Sequence, residues 1–250
     1  MRRSNGILWG TNHILHEETP SDSGLLITIL GQRPYLETLF QMQAYTANRR
    51  PNDPDQIWLV EHKPVYTRGK LSRNQDILAD LPHAICDTDR GGQITYHGPG
   101  QLIVYYLMDV WRQPSLSLKN LLSNIETMAL SLLDDYAISA YANTKNRGIY
   151  VNNCKIASIG LRASRRGTYH GLALNVAMDL EPFSYINPCG AQQKMVDIAS
   201  LSSVATTDIV DKTIGLLQQS SMLAQQEVMI TRQPFFPSGV SYEYTDDSTR

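Results

Sequence analysis

Two textures of apolar residues alternate along the chain: short unbroken runs of strand length, and longer stretches in which apolar positions return every third or fourth residue. Residues 25–30 form an Ile- and Leu-rich run that predicts a buried strand. Pro34 suits the first turn of a helix, and Leu36, Phe40, Ala44 and Ala47 recur on one helical face. Residues 57–61 and 84–87 read as further strands, separated by a loop carrying Arg68, Gly69, Lys70 and Arg73. The strongest strand signal is 102–108, an apolar run directly after a glycine-rich stretch. From Leu118 onward, Leu121, Leu122, Ile125, Met128, Ala129, Leu132 and Leu133 give helical spacing, with Ser117 as the expected cap. The pattern then returns to strands: 148–151, the turn Asn152-Asn153, and 154–161 predict a hairpin, and 169–178 would add a third strand. A last helix is expected through Ile209, Leu216 and Leu223, capped by Thr206 or Thr207.

Strands alternating with helices over 250 residues imply one α/β domain, and 42% apolar content suffices for a sizeable core. Residues 1–24 are polar and end in a cluster of turn formers, which predicts a loose leader. Residues 231–250 predict a weakly ordered tail, leaving 25–230 as the single domain. No repeat is found. The charged fraction of 18% and a net charge of −2 argue against nucleic-acid arms and against bulk attraction to anionic membranes. Residues 4–16 mix Asn, Gly, Thr and His in a way unlike a secretory signal, and no apolar run is long enough to span a bilayer. The three cysteines, Cys86, Cys154 and Cys189, form no CxxC pair, so neither a disulfide framework nor a structural metal site is expected, and a reducing, cytoplasmic setting fits.

Candidate chemistry concentrates at few positions. Cys189 lies in Asn187-Pro188-Cys189-Gly190, where Pro188 fixes one dihedral and Gly190 frees another, a turn able to present a thiol. A thiol is mostly protonated at neutral pH and needs a cation, a base or helix-end dipoles to become a nucleophile. Lys155 is a candidate cation. On a regular strand over 154–161 it would share a face with Ala157, Ile159 and Leu161, opposite Cys154, Ile156, Ser158 and Gly160. There, either the strand is short and the ammonium reaches water, or the side chain is partly buried and its pKa falls. His97 sits in a glycine-rich loop that must bend, which favours a pocket role over packing. His170 falls with Leu172, Leu174 and Val176, where a satisfied core histidine is the ordinary expectation. Arg162, Arg165 and Arg166 make a small basic patch in the turn between two strands.

Four segments in order, 90–101 (Arg-Gly-Gly-Gln-Ile-Thr-Tyr-His-Gly-Pro-Gly-Gln), 155–162, 169–176 and 186–190, with 58–67 upstream, resemble the octanoyltransferases of the lipoate pathway. The resemblance runs from about Leu25 to Val204. It implies the biotin/lipoate protein ligase-like fold, an α/β domain with a larger and a smaller mixed β-sheet flanked by helices. It also implies transfer of an octanoyl group from octanoyl-acyl carrier protein to a lysine of apo lipoyl domains or of the glycine cleavage H protein, with no cofactor, metal or nucleic acid. Carried over residue by residue, Cys189 would be the acyl-thioester nucleophile and Lys155 the residue that lowers its pKa. Arg90, Gly91, Gly92, Gln93, Ile94, Thr95, Tyr96, His97, Ser158, Ile159, Gly160, Gly171, Leu172 and Ala173 would line the acyl pocket. Three rivals remain: an ATP-dependent ligase of the same fold, a hydrolase built from Cys189 with His97 or His170, and a non-catalytic binder of lipoyl domains.

Overall fold

The computed structural model describes residues 6–17, 24–112, 116–187, 193–220, 226–239 and 242–244. Its frame is an eight-stranded mixed sheet in the order β11-β1-β2-β6-β10-β9-β8-β7. In chain order these strands are β1 (Leu25–Arg33), β2 (Asp55–His62), β6 (Gln101–Leu107), β7 (Tyr141–Asn143), β8 (Gly148–Val151), β9 (Cys154–Ser164), β10 (Gly167–Asn175) and β11 (Val228–Thr231). A smaller mixed sheet joins β3 (Val65–Arg68), β4 (Ile85–Asp87) and β5 (Thr95–His97), with β3 parallel to β4 and antiparallel to β5.

The apolar runs of β1, β2 and β6 are buried on both faces, as unbroken apolar strands require. Along β6, Leu102, Val104 and Tyr106 enter one core, while Ile103, Tyr105 and Leu107 enter another. Helix α2 (Leu118–Asp134) and helix α4 (Ile209–Gln219) cover the first of these faces, and helix α1 (Tyr35–Asn48) covers the second. A single helical turn, α3 (Ile198–Leu201), also reaches the first core through Ile198. Helix α2 follows its sequence: Leu121, Ile125, Met128, Ala129, Leu132 and Leu133 are buried, and the Ser117 hydroxyl accepts the Asn120 N–H at 3.2 Å. Burying each large apolar side chain there contributes about 1.5–3 kcal/mol relative to exposure.

Several elements differ from the sequence reading. Helix α1 turns the other stripe inward: Tyr35, Thr38, Leu39, Met42 and Tyr45 are buried, whereas Leu36 and Phe40 are exposed. Both stripes have helical spacing, and the one that meets Trp58 and Tyr105 on the sheet wins the contact. Pro34 caps α1 from outside instead of occupying its first turn. Asp208 is the N-cap position of α4, in place of either threonine; Leu223 lies outside the described residues. His97 lies in strand β5 and is buried, because pairing with β3 gives its backbone a partner that the loop reading did not anticipate. Strand β11, within and adjoining the polar C-terminal stretch, pairs parallel with β1.

Parts of the leader and tail are placed on the domain. Ile7 is buried and donates its N–H to Glu61 at 3.0 Å; Phe235 and Phe236 pack on the second core. Among the described residues, no helix is long and apolar enough to cross a membrane.

Candidate active site

A cavity of about 450 Å³ lies against β9 and β10, within the range usual for small-molecule sites. Strand β8 begins at Gly148, opposite Ser158, so among the described residues no strand flanks that edge of β9 beyond Ser158. The glycine-rich segment closes there instead: the Gly91 N–H donates to the Leu161 carbonyl at 3.1 Å. Arg90, Gly91, Gly92, Gln93, Ile94, Thr95 and His97 line the cavity, together with Ser158, Ile159, Gly160, Gly171, Leu172 and Ala173. Tyr96 does not. Strand alternation turns its ring away from Thr95 and His97, and it packs with Tyr66, His83 and Phe183 beneath the smaller sheet. At Gly171 a Cβ would collide with the Val104 carbonyl, so only glycine lets β10 lie this close to β6.

Lys155 also lines the cavity, from a face that simple alternation does not give. Ala157 pairs with Ile149 and Lys155 with Tyr150, so two steps along β9 match one along β8 and Ile156 is a β-bulge. The bulge puts Ile156 in the first core beside Ala157 and turns Lys155 to the face of Tyr150 and Ser158, away from Ala157, Ile159 and Leu161. Lys155 is 5% exposed, its Nζ lies 5.6 Å from the Tyr150 ring centroid, and its aliphatic stem crosses Gly148, where a Cβ would strike Cε. Its backbone is bracketed by the segment that follows Cys189 in sequence. The Lys155 N–H donates to the Lys194 carbonyl at 2.8 Å, and the Val196 N–H donates to the Lys155 carbonyl at 3.0 Å. Cys189 itself lies outside the described residues, as do Pro188, Gly190, Ala191 and Gln192.

Behind the cavity wall is a buried polar layer that sequence reading found only in part. The Arg90 guanidinium donates to the Thr67 carbonyl at 2.7 Å, to the Thr67 hydroxyl at 2.8 Å, and to the Gly91 carbonyl at 3.1 Å. The Thr67 hydroxyl donates on to Nε2 of His97 at 3.4 Å, and His97 Nδ1–H donates to Gln101 at 2.8 Å, the tautomer these partners require. Gln101 then donates to Asn175, and Asn175 to the Val196 carbonyl, which ties the glycine-rich segment to the strand holding Lys155. His62 donates to the Arg33 carbonyl and accepts from the Tyr105 hydroxyl at 2.8 Å. Tyr35, distant in sequence, stacks on His97 with ring centroids 5.7 Å apart and lines the cavity.

His170 is satisfied, as expected of a core histidine, but it is not packed with Leu172 and Leu174. Its left-handed backbone, φ 62°, breaks the strand alternation, and the ring meets Asp89 at 3.1 Å with Tyr105 and Tyr169 alongside. It too lines the cavity. Burial pushes the Asp89 carboxyl up, but hydrogen bonds from His170 and Tyr169 outweigh this and bring it down to about 2. Arg162 lies on β9 with its guanidinium 4.0 Å from Asp89, so only Arg165 and Arg166 of the basic patch form the turn.

The three buried histidines are neutral at physiological pH. Burial lowers His62 to about 4; burial, His62 and Arg90 push His97 well below its ordinary value; burial lowers His170 against the opposing pull of Asp89. A histidine whose folded pKa is depressed stabilises the fold above its unfolded value, and that contribution is lost as pH falls through the folded value. Stability is therefore expected to drop between about pH 6.5 and pH 4, with His62 alone accounting for about 3 kcal/mol. Urea midpoints measured at pH 7, 5.5 and 4.5 check this, and a flat profile across that window contradicts it.

Residues 34–216 match the family model of the lipoyl protein ligase A/B catalytic domain. An octanoyltransferase of Cellvibrio japonicus (strain Ueda107) is 43% identical over 199 residues, 79% of this chain and 88% of its own length. Another, from Shewanella denitrificans (strain OS217), is 44% identical over 209 residues, 82% of this chain and 90% of its own. The chain belongs to the octanoyltransferase family. As an octanoyltransferase-family member it is an acyltransferase of the lipoate pathway. Its fold is that of lipoate-protein ligases. Lipoate-protein ligase A bound with ATP superposes with a TM-score of 0.67 over 87% of this chain and 90% of that one, at 13% identity. A bipartite lipoate protein ligase of Thermoplasma acidophilum superposes with a TM-score of 0.63, covering 83% of this chain and 87% of that one, also at 13% identity. Among the described residues no group of His, Cys, Asp and Glu could hold a metal ion.

Proposed function

We propose that this octanoyltransferase moves an octanoyl group from acyl carrier protein to a lysine of lipoyl domains and of the glycine cleavage H protein, through a thioester on Cys189. The observation that carries the reading is the cavity, lined in part by Gly171, Leu172 and Ala173, with the buried Lys155 side chain on its wall, in a chain closely similar to octanoyltransferases. Small and aliphatic residues suit a fatty chain. Chain connectivity adds support, because Cys189 is two residues from Asn187, whose N–H is held by the Asp76 carbonyl, and four from Gln193, beside the Lys194 that pairs with Lys155.

In the first half-reaction the Cys189 thiolate attacks the donor thioester carbonyl, and the carrier sulfur leaves with the proton of the Lys155 ammonium, which leaves Lys155 neutral. One thioester replaces another, so no nucleotide is consumed. Lys155 as an ammonium favours the thiolate; lowering a thiol from about 8.5 to about 7 corresponds to roughly 2 kcal/mol. In the second half-reaction the acceptor lysine attacks the acyl-enzyme, its proton passes to neutral Lys155, and the Cys189 sulfur departs. Backbone N–H groups of the glycine-rich segment are the supply for the oxyanion.

Incubation with octanoyl-carrier protein, followed by mass measurement before and after adding apo lipoyl domain, tests the whole cycle. The enzyme should gain one octanoyl group and then pass it on. AMP release with free octanoate and ATP would favour the ligase reading, and steady release of octanoate without an acceptor would favour a hydrolase. Arg165 and Arg166, exposed at the turn between β9 and β10, fit an acidic carrier surface. Reversing both charges is expected to raise KM for the carrier severalfold and to flatten its salt dependence. Identical kinetics across a salt series would remove the turn from the docking surface.

A further inference from the structure

The charged residues that line the cavity are all cations. Arg90, Lys145, Arg147 and Lys155 contribute to the wall, and no Asp or Glu does so among the described residues. The four are graded in depth: Arg90 and Lys155 are buried, whereas Lys145 and Arg147 are exposed at the rim on the turn between β7 and β8. That turn is a fixed support. The Asn143 side chain accepts the N–H groups of Lys145 and Asn146 at 2.9 and 3.2 Å, and the Tyr150 hydroxyl donates to the Asn146 carbonyl at 2.7 Å. Glu126 holds one arm of Arg147 at 3.4 Å, and the Arg147 side chain is still 40% exposed. The turn also runs straight into Gly148, across which the Lys155 stem lies, so the rim cations belong to the same local structure as the buried lysine.

We infer that Lys145 and Arg147 form an anion subsite at the cavity mouth that receives the phosphodiester of the donor's phosphopantetheine arm. This rests on the proposed carrier-dependent reaction and adds a specific contact to it. The chemistry selects the donor over the acceptor. The acceptor presents a lysine, whose charge is repelled by a cationic rim, while the donor presents a phosphate anion at the far end of the arm that delivers the thioester. A guanidinium and an ammonium on one rigid turn supply a forked and a point contact to the same anion.

The experiment compares three donors, octanoyl-carrier protein, octanoyl-phosphopantetheine and octanoyl-pantetheine, with the wild-type enzyme and a Lys145→Gln/Arg147→Gln double variant. The wild-type enzyme should show a KM about tenfold lower for the phosphorylated small donor than for the unphosphorylated one, a preference that shrinks as salt rises. In the double variant the two KM values should converge, and KM for the carrier should rise by a similar factor. Equal KM values for the two small donors in the wild-type enzyme, or a preference that survives both substitutions, would overturn the subsite while leaving octanoyl transfer intact. Failure of the wild-type enzyme to accept acyl groups from any of the three donors would instead overturn the carrier-dependent reaction, and the subsite with it.

Discussion

Cys189→Ser is expected to leave a folded protein that accumulates no acyl-enzyme and transfers octanoyl groups slower by a factor on the order of 10³ or more. A serine hydroxyl has nearly the volume of the thiol, so packing is little changed. It is far less acidic than a thiol, however, so an ammonium nearby cannot generate the oxyanion that attack would need. The expected signature is specific: intact mass shows no added octanoyl group on incubation with the donor, and the thermal midpoint matches the wild-type protein. Normal octanoylation of a lipoyl domain by the serine variant would refute the nucleophile assignment.

Lys155→Ala has the second largest expected effect, because the proposed mechanism uses this side chain twice. In that proposal the ammonium draws the thiol down, and the amine takes the acceptor's proton. The variant should raise the midpoint of iodoacetamide alkylation at Cys189 toward that of an ordinary thiol and slow transfer by roughly 10² to 10⁴. Lys155 is 5% exposed on a strand, so alanine also leaves unfilled space. Lys155→Met fills most of that space without the charge, and it should show the same alkylation shift. An unchanged alkylation profile in both variants would mean that Lys155 does not govern the thiol.

What could be read from the chain and what could not divides along a physical line. The apolar runs on β1, β2 and β6 and the spacing along α2 are local signals, since a buried strand or an amphipathic helix must write its period into consecutive residues. Likewise the turn at Asn152-Asn153 is local, and both residues adopt the left-handed backbone that such a two-residue hairpin needs. Helix α1 shows where local signals end: two stripes with the same period compete, and only the sheet beneath decides between them. Strand β11 and the smaller sheet's β3 and β5 are short, and their partners are distant in the sequence, so nothing within them announces pairing.

The same division runs through the candidate site. Much of its wall lies in motifs legible in the chain, among them Arg90 to Thr95, His97, Ser158 to Gly160 and Gly171 to Ala173. Tyr35, Tyr105 and the Lys145–Arg147 rim were missed, because each is an ordinary helix, strand or turn residue until the fold brings it to the cavity. By itself, the sequence determined the α/β class, the order of the main elements and the residue types with chemistry to offer. Only the tertiary structure decided which way Lys155 and His170 face. A one-residue bulge at Ile156 and a left-handed backbone at His170 each reverse the alternation that a strand pattern implies, and both are maintained by neighbours on other segments.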